Sequence, residues 1–183
     1  MLRNNFIIKP IGYVKNTKDK ETLRYSNKSI EFDMKTAASQ KSDLIISEII
    51  INEEHAETLD GIEEFSHLII IFWAHKTPEK ARQIKKVHPG GLKKMPLKGI
   101  FSTRSPIRPN PICITTVRLL ERKDNILIVD RMDAINNTPV LDIKPHLRYY
   151  DVPHNVKIAS WVNELMNEYA KLYDRLKRNF NFK

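Results

Sequence analysis

The chain has 183 residues, 41% of them hydrophobic, with five glycines, one cysteine and a net charge of +9, enough for one domain with a core of its own or for one domain with an appendage. No stretch approaches the roughly 18 to 20 continuous apolar residues of a membrane span, and the opening MLRNNFIIKP turns polar too soon for a signal sequence. The lone Cys113 cannot form an internal disulfide, which fits a reducing cytoplasm.

In chain order, Phe6-Ile7-Ile8, a break at Pro10 and the run from Ile11 to Val14 predict an opening strand in two pieces. The polar stretch from Lys15 to Lys28 predicts a long loop. Ser29 to Phe32 is a short alternating strand, and Leu44 to Ile46 through Ile49 to Ile51 continues the β signal. Glu53 to Leu59 predicts one or more helical turns, ended by Asp60-Gly61. His67 to Ala74 (HLIIIFWA) is a continuous apolar run of strand length, expected to be buried on both faces. After it, eight basic residues (Lys76, Lys80, Arg82, Lys85, Lys86, Lys93, Lys94 and Lys98) stand against one acid, Glu79. Such a cluster attracts polyanions, nucleic acid among them; a solvated solubilising face is the other reading.

The basic segment is expected to be partly helical from Pro78 to Lys86 and to break at Pro89-Gly90-Gly91. Gly99 to Thr103, Ile112 to Leu120, Ile126 to Met132 and Val140 to Ile143 read as strands, with a hairpin around Lys123-Asp124-Asn125. Many short strands with little helix between them predict a mainly β fold, a single closed barrel whose edges vanish by closure. From Val156 onward, Trp161, Leu165, Tyr169, Leu172, Tyr173, Leu176 and Phe180 recur at spacings of three and four, the signature of an amphipathic helix. The expected division is a barrel over 1–153 and a C-terminal helix over 154–183.

Chemistry concentrates in the loop TRSPIRPNP, Thr103 to Pro111. Each of its three prolines fixes φ, removes an amide donor and pushes the preceding residue out of the helical region. The result is a stiff, extended loop able to hold Arg104, Arg108 and Asn110 at fixed positions over a ligand. No Cys/His spacing reads as a zinc site and no glycine-rich phosphate loop is present, so no metal is expected and a Rossmann-type nucleotide fold is disfavoured. Cys113, within an apolar strand, reads as a small core residue and not a nucleophile.

Four segments share order and spacing with a known family: IGYV (Ile11 to Val14), DGIEEFSHLIIIFWAH (Asp60 to His75), IFSTRSPIRPNPI (Ile100 to Ile112) and MDAINNTPVLDIKPH (Met132 to His146). Over roughly Ile11 to Asp151 the chain resembles the TsaA/TrmO-type (YaeB/VirR-like) methyltransferases. The resemblance implies a β-barrel, S-adenosylmethionine as cofactor, and N6-methylation of threonylcarbamoyl-adenosine beside the anticodon of tRNA. It also implies a homodimer. By position it assigns cofactor contacts to Arg24, Tyr25, His75, Lys76, Arg104, Ile114, Asp133 and Asn136. Asn110, Asp142 and Lys144 are the expected acceptor-side residues, although an alternating D-x-K in a strand also reads as an ion pair. The sequence departs from the family at Asn136-Asn137 (Asp-Gly in the family), Cys113 (Gly) and His88 within VHPGG. These changes keep open a small-molecule acceptor, or a non-catalytic module that binds cofactor or RNA.

Overall fold

The computed structural model describes residues 7–20, 23–25, 30–33 and 46–180, with the backbone alone given for 23–25, 30–32 and 172–180. Among the described residues the elements are β1 Gly12–Lys15, β2 Leu23–Tyr25, β3 Ile30–Phe32, β4 Ser47–Ile51, β5 His67–Trp73, β6 Lys86–Val87, β7 Lys98–Gly99, β8 Ile112–Lys123, β9 Ile126–Asp130, β10 Pro139–Pro145, α1 Arg148–Asp151 and α2 Ser160–Phe180. Six strands close a barrel in the order β1-β10-β5-β8-β9-β4, every neighbour antiparallel. The pairs β2-β3 and β6-β7 stand outside it as small hairpins.

Alternation explains the interior. Val14, Ile49, Ile51, Leu68, Ile70, Phe72, Val117, Leu127, Val129 and Val140 face one another as a single buried cluster, the arrangement a period-2 strand pattern produces when a sheet closes on itself. A bulge between Val140 and Asp142 shifts the register of β10 against β5, so Ile143 also turns toward the core. A second, smaller cluster of Ala81, Val87, Ile100 and Ile107 lies under the basic segment. It ties that segment to the proline-rich loop.

Several sequence expectations are corrected. β5 is buried on one face only, because Ile69, Ile71 and Trp73 lie half-buried on the outer wall. Gly99 to Thr103 is not a strand; β7 ends at Gly99 and a 3₁₀ turn, Ile100–Ser102, follows. β2 interrupts the loop expected from Lys15 to Lys28. Ile7 and Ile8 are exposed and only Gly12–Lys15 pairs, since Pro10 has no amide to give a ladder. Phe6, Leu44 and Ile45 lie outside the described residues. The C-terminal helix starts at Ser160 and not near Val156, and through Lys171 its buried residue is Leu165.

Candidate functional site

Antiparallel closure brings the functional segments to one end of the barrel. β1 ends where β4 begins, with Lys15 opposite Glu48; β9 ends there too, with Val129 opposite Ser47. β10 starts at that same end, Pro139 opposite Tyr13, and β5 finishes beside it, Phe72 opposite Val140. The chain leaving β1 (Asn16 to Lys20), the chain leaving β5 (His75 to Thr77), the loop entering β8 (Thr103 to Pro111) and the β9-β10 connection (Arg131 to Thr138) therefore rim one mouth.

The loop entering β8 is built as its prolines predict. Ile107 is wholly buried in the smaller cluster and anchors the middle of the loop. Arg108 donates to the carbonyls of Thr103 (3.0 Å) and Ser105 (3.3 Å), and its guanidinium lies 5.6 Å from the Phe101 ring centroid. Arg108 thus braces the loop, whereas the sequence suggested it for a ligand. Arg104 is exposed, donates to Ile114 O at 3.0 Å, and pairs with no carboxylate among the described residues. The amide of Ala74 donates to Pro111 O at 2.8 Å, which fastens the loop exit to the end of β5. Asn110 is exposed at that exit.

Opposite this loop, His75 Nδ1 lies 3.4 Å from the buried hydroxyl of Thr138. Burial first and the neighbouring Lys76 charge second hold the imidazole below its ordinary pKa, so His75 is neutral at pH 7. Lys76 donates to Asp19 O at 2.9 Å and pins the chain leaving β1 to the chain leaving β5. Thr77 is 3% exposed, and its hydroxyl is the one buried side-chain polar atom among the described residues with no partner. Sequence reasoning missed Thr77 and Thr138, since a threonine beside a strand end carries no pattern of its own.

Asp133 stands exposed on the β9-β10 connection and forms no ion pair among the described residues. Burial, then the Asp133 carboxylate, push the Cys113 thiol up to about 11, against the opposing pull of Arg108 and Arg104. At neutral pH the thiol stays protonated and packs against the core, as the sequence suggested. Alkylation by iodoacetamide is accordingly expected to be negligible at pH 7.5 and to accelerate as pH rises toward 11; fast labelling at pH 7.5, followed by mass, contradicts this environment. Asn136 is turned inward to the scaffold: its amide donates to Lys18 O (2.6 Å) and its Oδ1 accepts from the Asn16 amide (3.1 Å). Asn137 takes φ +61, the left-handed conformation a Gly supplies freely and Asn tolerates.

Of the remaining sequence candidates, Asp142 lies midway along the outer wall, opposite Ile71, and Lys144 lies farther from the mouth, opposite Ile69. Asp142 is opposite Ile71, and Ile71 opposite Ile114, so the three form one row across β10, β5 and β8. Arg104 closes that row through Ile114 O. Asp142 and Lys144 form an exposed ion pair of 2.7 Å, the alternative reading of a D-x-K pattern. Arg24 and Tyr25 lie on β2, and their side chains fall outside the described residues.

Taken together, the mouth combines an unpaired guanidinium, an unpaired carboxylate, a neutral imidazole and an orphaned buried hydroxyl. That set suits a ligand carrying a carboxylate at one end and a positive centre at the other. Among the described residues no cluster of His, Cys, Asp and Glu is arranged to hold a metal ion, and no helix is long and apolar enough to cross a membrane.

Comparison with known proteins bears on the same segments. Residues 30–152 match the family profile of the tRNA-methyltransferase O N-terminal domain. A probable S-adenosyl-L-methionine-binding protein of Methanocaldococcus jannaschii is 45% identical over 104 residues, 56% of this chain and 82% of the relative. The human tRNA (adenine(37)-N6)-methyltransferase is 36% identical over 154 residues, 83% of this chain but 32% of the relative. Among solved structures, TrmO from Pseudomonas aeruginosa superposes with a TM-score of 0.60 at 24% identity, over 86% of this chain and 64% of that one, a likeness of fold. The chain thus spans about a third of the human protein and just under two thirds of the solved one. With two thirds of its length under one family profile, the chain belongs to the TrmO family through the tRNA-methyltransferase O N-terminal domain.

Proposed function

We propose that this chain is an S-adenosylmethionine-dependent methyltransferase acting on adenosine N6 in tRNA. The observation that carries the reading is the mouth itself: Arg104 and Asp133, with no carboxylate or cation paired to either among the described residues, stand on two rigid loops of a barrel that belongs to the TrmO family. Relatives named for S-adenosyl-L-methionine binding and for tRNA (adenine(37)-N6) methylation support it. Arg104 would take the cofactor carboxylate, while Asp133 and neighbouring carbonyls would face the sulfonium. His75, Lys76 and Ile114 border the same space, and Asn136 shapes it by holding the chain at Asn16 and Lys18. Arg24 and Tyr25 complete the set by resemblance.

The bound cofactor supplies a methyl group on a sulfonium. Methyl transfer from such a group would need little covalent help from the protein, so fixed positioning by Arg104, Asp133 and the stiff loop of Thr103 to Pro111 would contribute most of the rate. The chain's own part is to hold the acceptor and to remove its proton. Asn110 would read the base edge, and the outer-wall pair Asp142 and Lys144 would serve the proton. Asp142→Asn is expected to lower kcat at least about 10-fold while leaving the cofactor KM unchanged. An unchanged kcat in a methyl-transfer assay reduces the pair to an ion bridge.

The exposed lysines between Lys76 and Lys98 would meet tRNA phosphates, which position RNA without reading sequence. Threonylcarbamoyl-adenosine is the acceptor favoured by resemblance. The barrel over 1–153 would carry this chemistry and the 154–183 segment would support it, with the protein working in the cytoplasm as a homodimer. The reading is tested by supplying labelled S-adenosylmethionine with tRNA that carries or lacks the threonylcarbamoyl group, followed by nucleoside mass analysis. Label in N6-methylated adenosine supports it. Label in small metabolites alone rejects the tRNA acceptor.

A further inference from the structure

Among the described residues, four other than glycine take a left-handed backbone: Asp124 (φ +52), Arg131 (φ +59), Asn137 (φ +61) and Asn155 (φ +55). Three of them are Asp or Asn, whose short side chains tolerate this region. Arg131 is of another type, and it stands at the mouth, in the first position after β9. A glycine or an asparagine there would make the same turn with less strain. Such a conformation persists only where the surrounding chain over-determines it. Here it does. Met132 is 1% exposed and Ala134 7%, both sunk in the barrel core. Lys18 Nζ donates to Met132 O at 3.0 Å, and Asn16 Nδ2 donates to Ala134 O at 3.0 Å.

The Arg131 guanidinium is exposed and has no hydrogen bond, ion pair or ring contact among the described residues. The neighbouring Asp130 carboxylate is already engaged: its Oδ2 lies 3.2 Å from Arg118 Nε, and its Oδ1 accepts from the Arg118 amide at 3.3 Å. With Met132 and Ala134 buried, Arg131 and Asp133 are the exposed charges of this stretch. A guanidinium is a poor neighbour for a sulfonium, and Arg104 on the facing loop already answers the cofactor carboxylate. Planar, permanently charged and two-pronged, Arg131 suits a phosphate arriving from solvent. The fixed backbone lowers the ordering cost of that contact, since only the side chain has to be immobilised.

We propose that Arg131 is an acceptor-side binding residue, its guanidinium taking a backbone phosphate of the tRNA at the mouth where the target adenosine enters. The inference rests on the tRNA methyltransferase reading given above. It gives the β9-β10 connection a second task beside that of Asp133, and it sets a local loss of stability against a gain in substrate binding.

The test uses the full chain, purified tRNA and the variants Arg131→Asn and Arg131→Lys. Asparagine accepts the left-handed backbone and removes the charge, so Arg131→Asn is expected to melt at or above the parent temperature. Its affinity for S-adenosylmethionine in calorimetry is expected to equal the parent's. Its affinity for tRNA is expected to fall about five- to tenfold at physiological salt. The slope of log affinity against log salt is expected to shrink by about one, the signature of one lost phosphate contact. Arg131→Lys keeps the charge and is expected to retain the parent slope. Parent-like tRNA affinity and slope in Arg131→Asn overturn the inference while the methyltransferase reading stands. So does a slope lost equally in Arg131→Lys, a loss confined to S-adenosylmethionine, or a clear drop in melting temperature, which makes the residue a brace of the fold. A parent chain that binds S-adenosylmethionine but no tRNA overturns the tRNA reading, and this inference with it.

Discussion

Arg104→Ala is expected to weaken S-adenosylmethionine binding about 10- to 100-fold, the value of one charge-assisted contact with a carboxylate. The stiffness of the loop makes the prediction specific. Arg104 projects from a segment held by the buried Ile107, by the Arg108 bonds to Thr103 and Ser105, and by the Ala74–Pro111 hydrogen bond. Removing its guanidinium takes away one contact, Ile114 O, and leaves every other brace of the loop in place. Stability is therefore expected to change little while affinity falls. Arg104→Lys is the informative control, because it keeps the charge and loses the two-pronged geometry; intermediate affinity in calorimetry indicates that the fork matters. Parent-like affinity in Arg104→Ala removes the residue from the site.

A second large effect is expected at Gly12, for a reason of packing. β1 is the short strand that closes the barrel between β10 and β4. A Cβ on Gly12 would lie 2.2 Å from Ile50 O and 2.9 Å from Ile51 Cα, both backbone atoms of β4. Neither can rotate away, so the strands must separate at their ladder. Gly12→Ala is expected to cost about 3 kcal/mol or more, lowering the melting temperature by about 6–12 °C for a domain of this size. Gly99 is the matched control, since a Cβ there meets nothing within 4 Å. If both alanine variants melt with the parent, the close approach of β1 to β4 is wrong.

The architecture was largely legible because alternation is a local signal. The runs at Ile49 to Ile51 and Ile126 to Asp130 place a buried residue at every second position, and in Ile112 to Leu120 Val117 is buried with Cys113, Thr115 and Leu119 half-buried on the same face; closure follows from having several such strands. The missed details were of another kind. Ile69, Ile71 and Trp73 read as core because an apolar run carries no information about how many faces are covered. Gly99 to Thr103 read as a strand, yet Ile107 and Ile100 share a cluster that bends the chain into a 3₁₀ turn. The start of α2 slipped by several residues because the periodicity begins before the helical hydrogen bonds do.

The site was legible as motif and less so as geometry. TRSPIRPNP announced a rigid loop, but the roles of its two arginines divide only once the carbonyls of Thr103, Ser105 and Ile114 are located. Asn136 looked like a weakened ligand; in the fold it fixes the chain leaving β1. Thr77 gains meaning only in the fold, where its buried hydroxyl has no partner among the described residues.

The central claim is that the cofactor occupies the mouth between the loop of Arg104 and the connection carrying Asp133. A crystal structure of the chain with S-adenosylhomocysteine tests it most directly. The ligand carboxylate is expected against Arg104 and its sulfur facing Asp133, beside His75. A ligand bound at the opposite end of the barrel, in the cleft lined by Glu63, Phe65, Leu119 and Arg122, would contradict it.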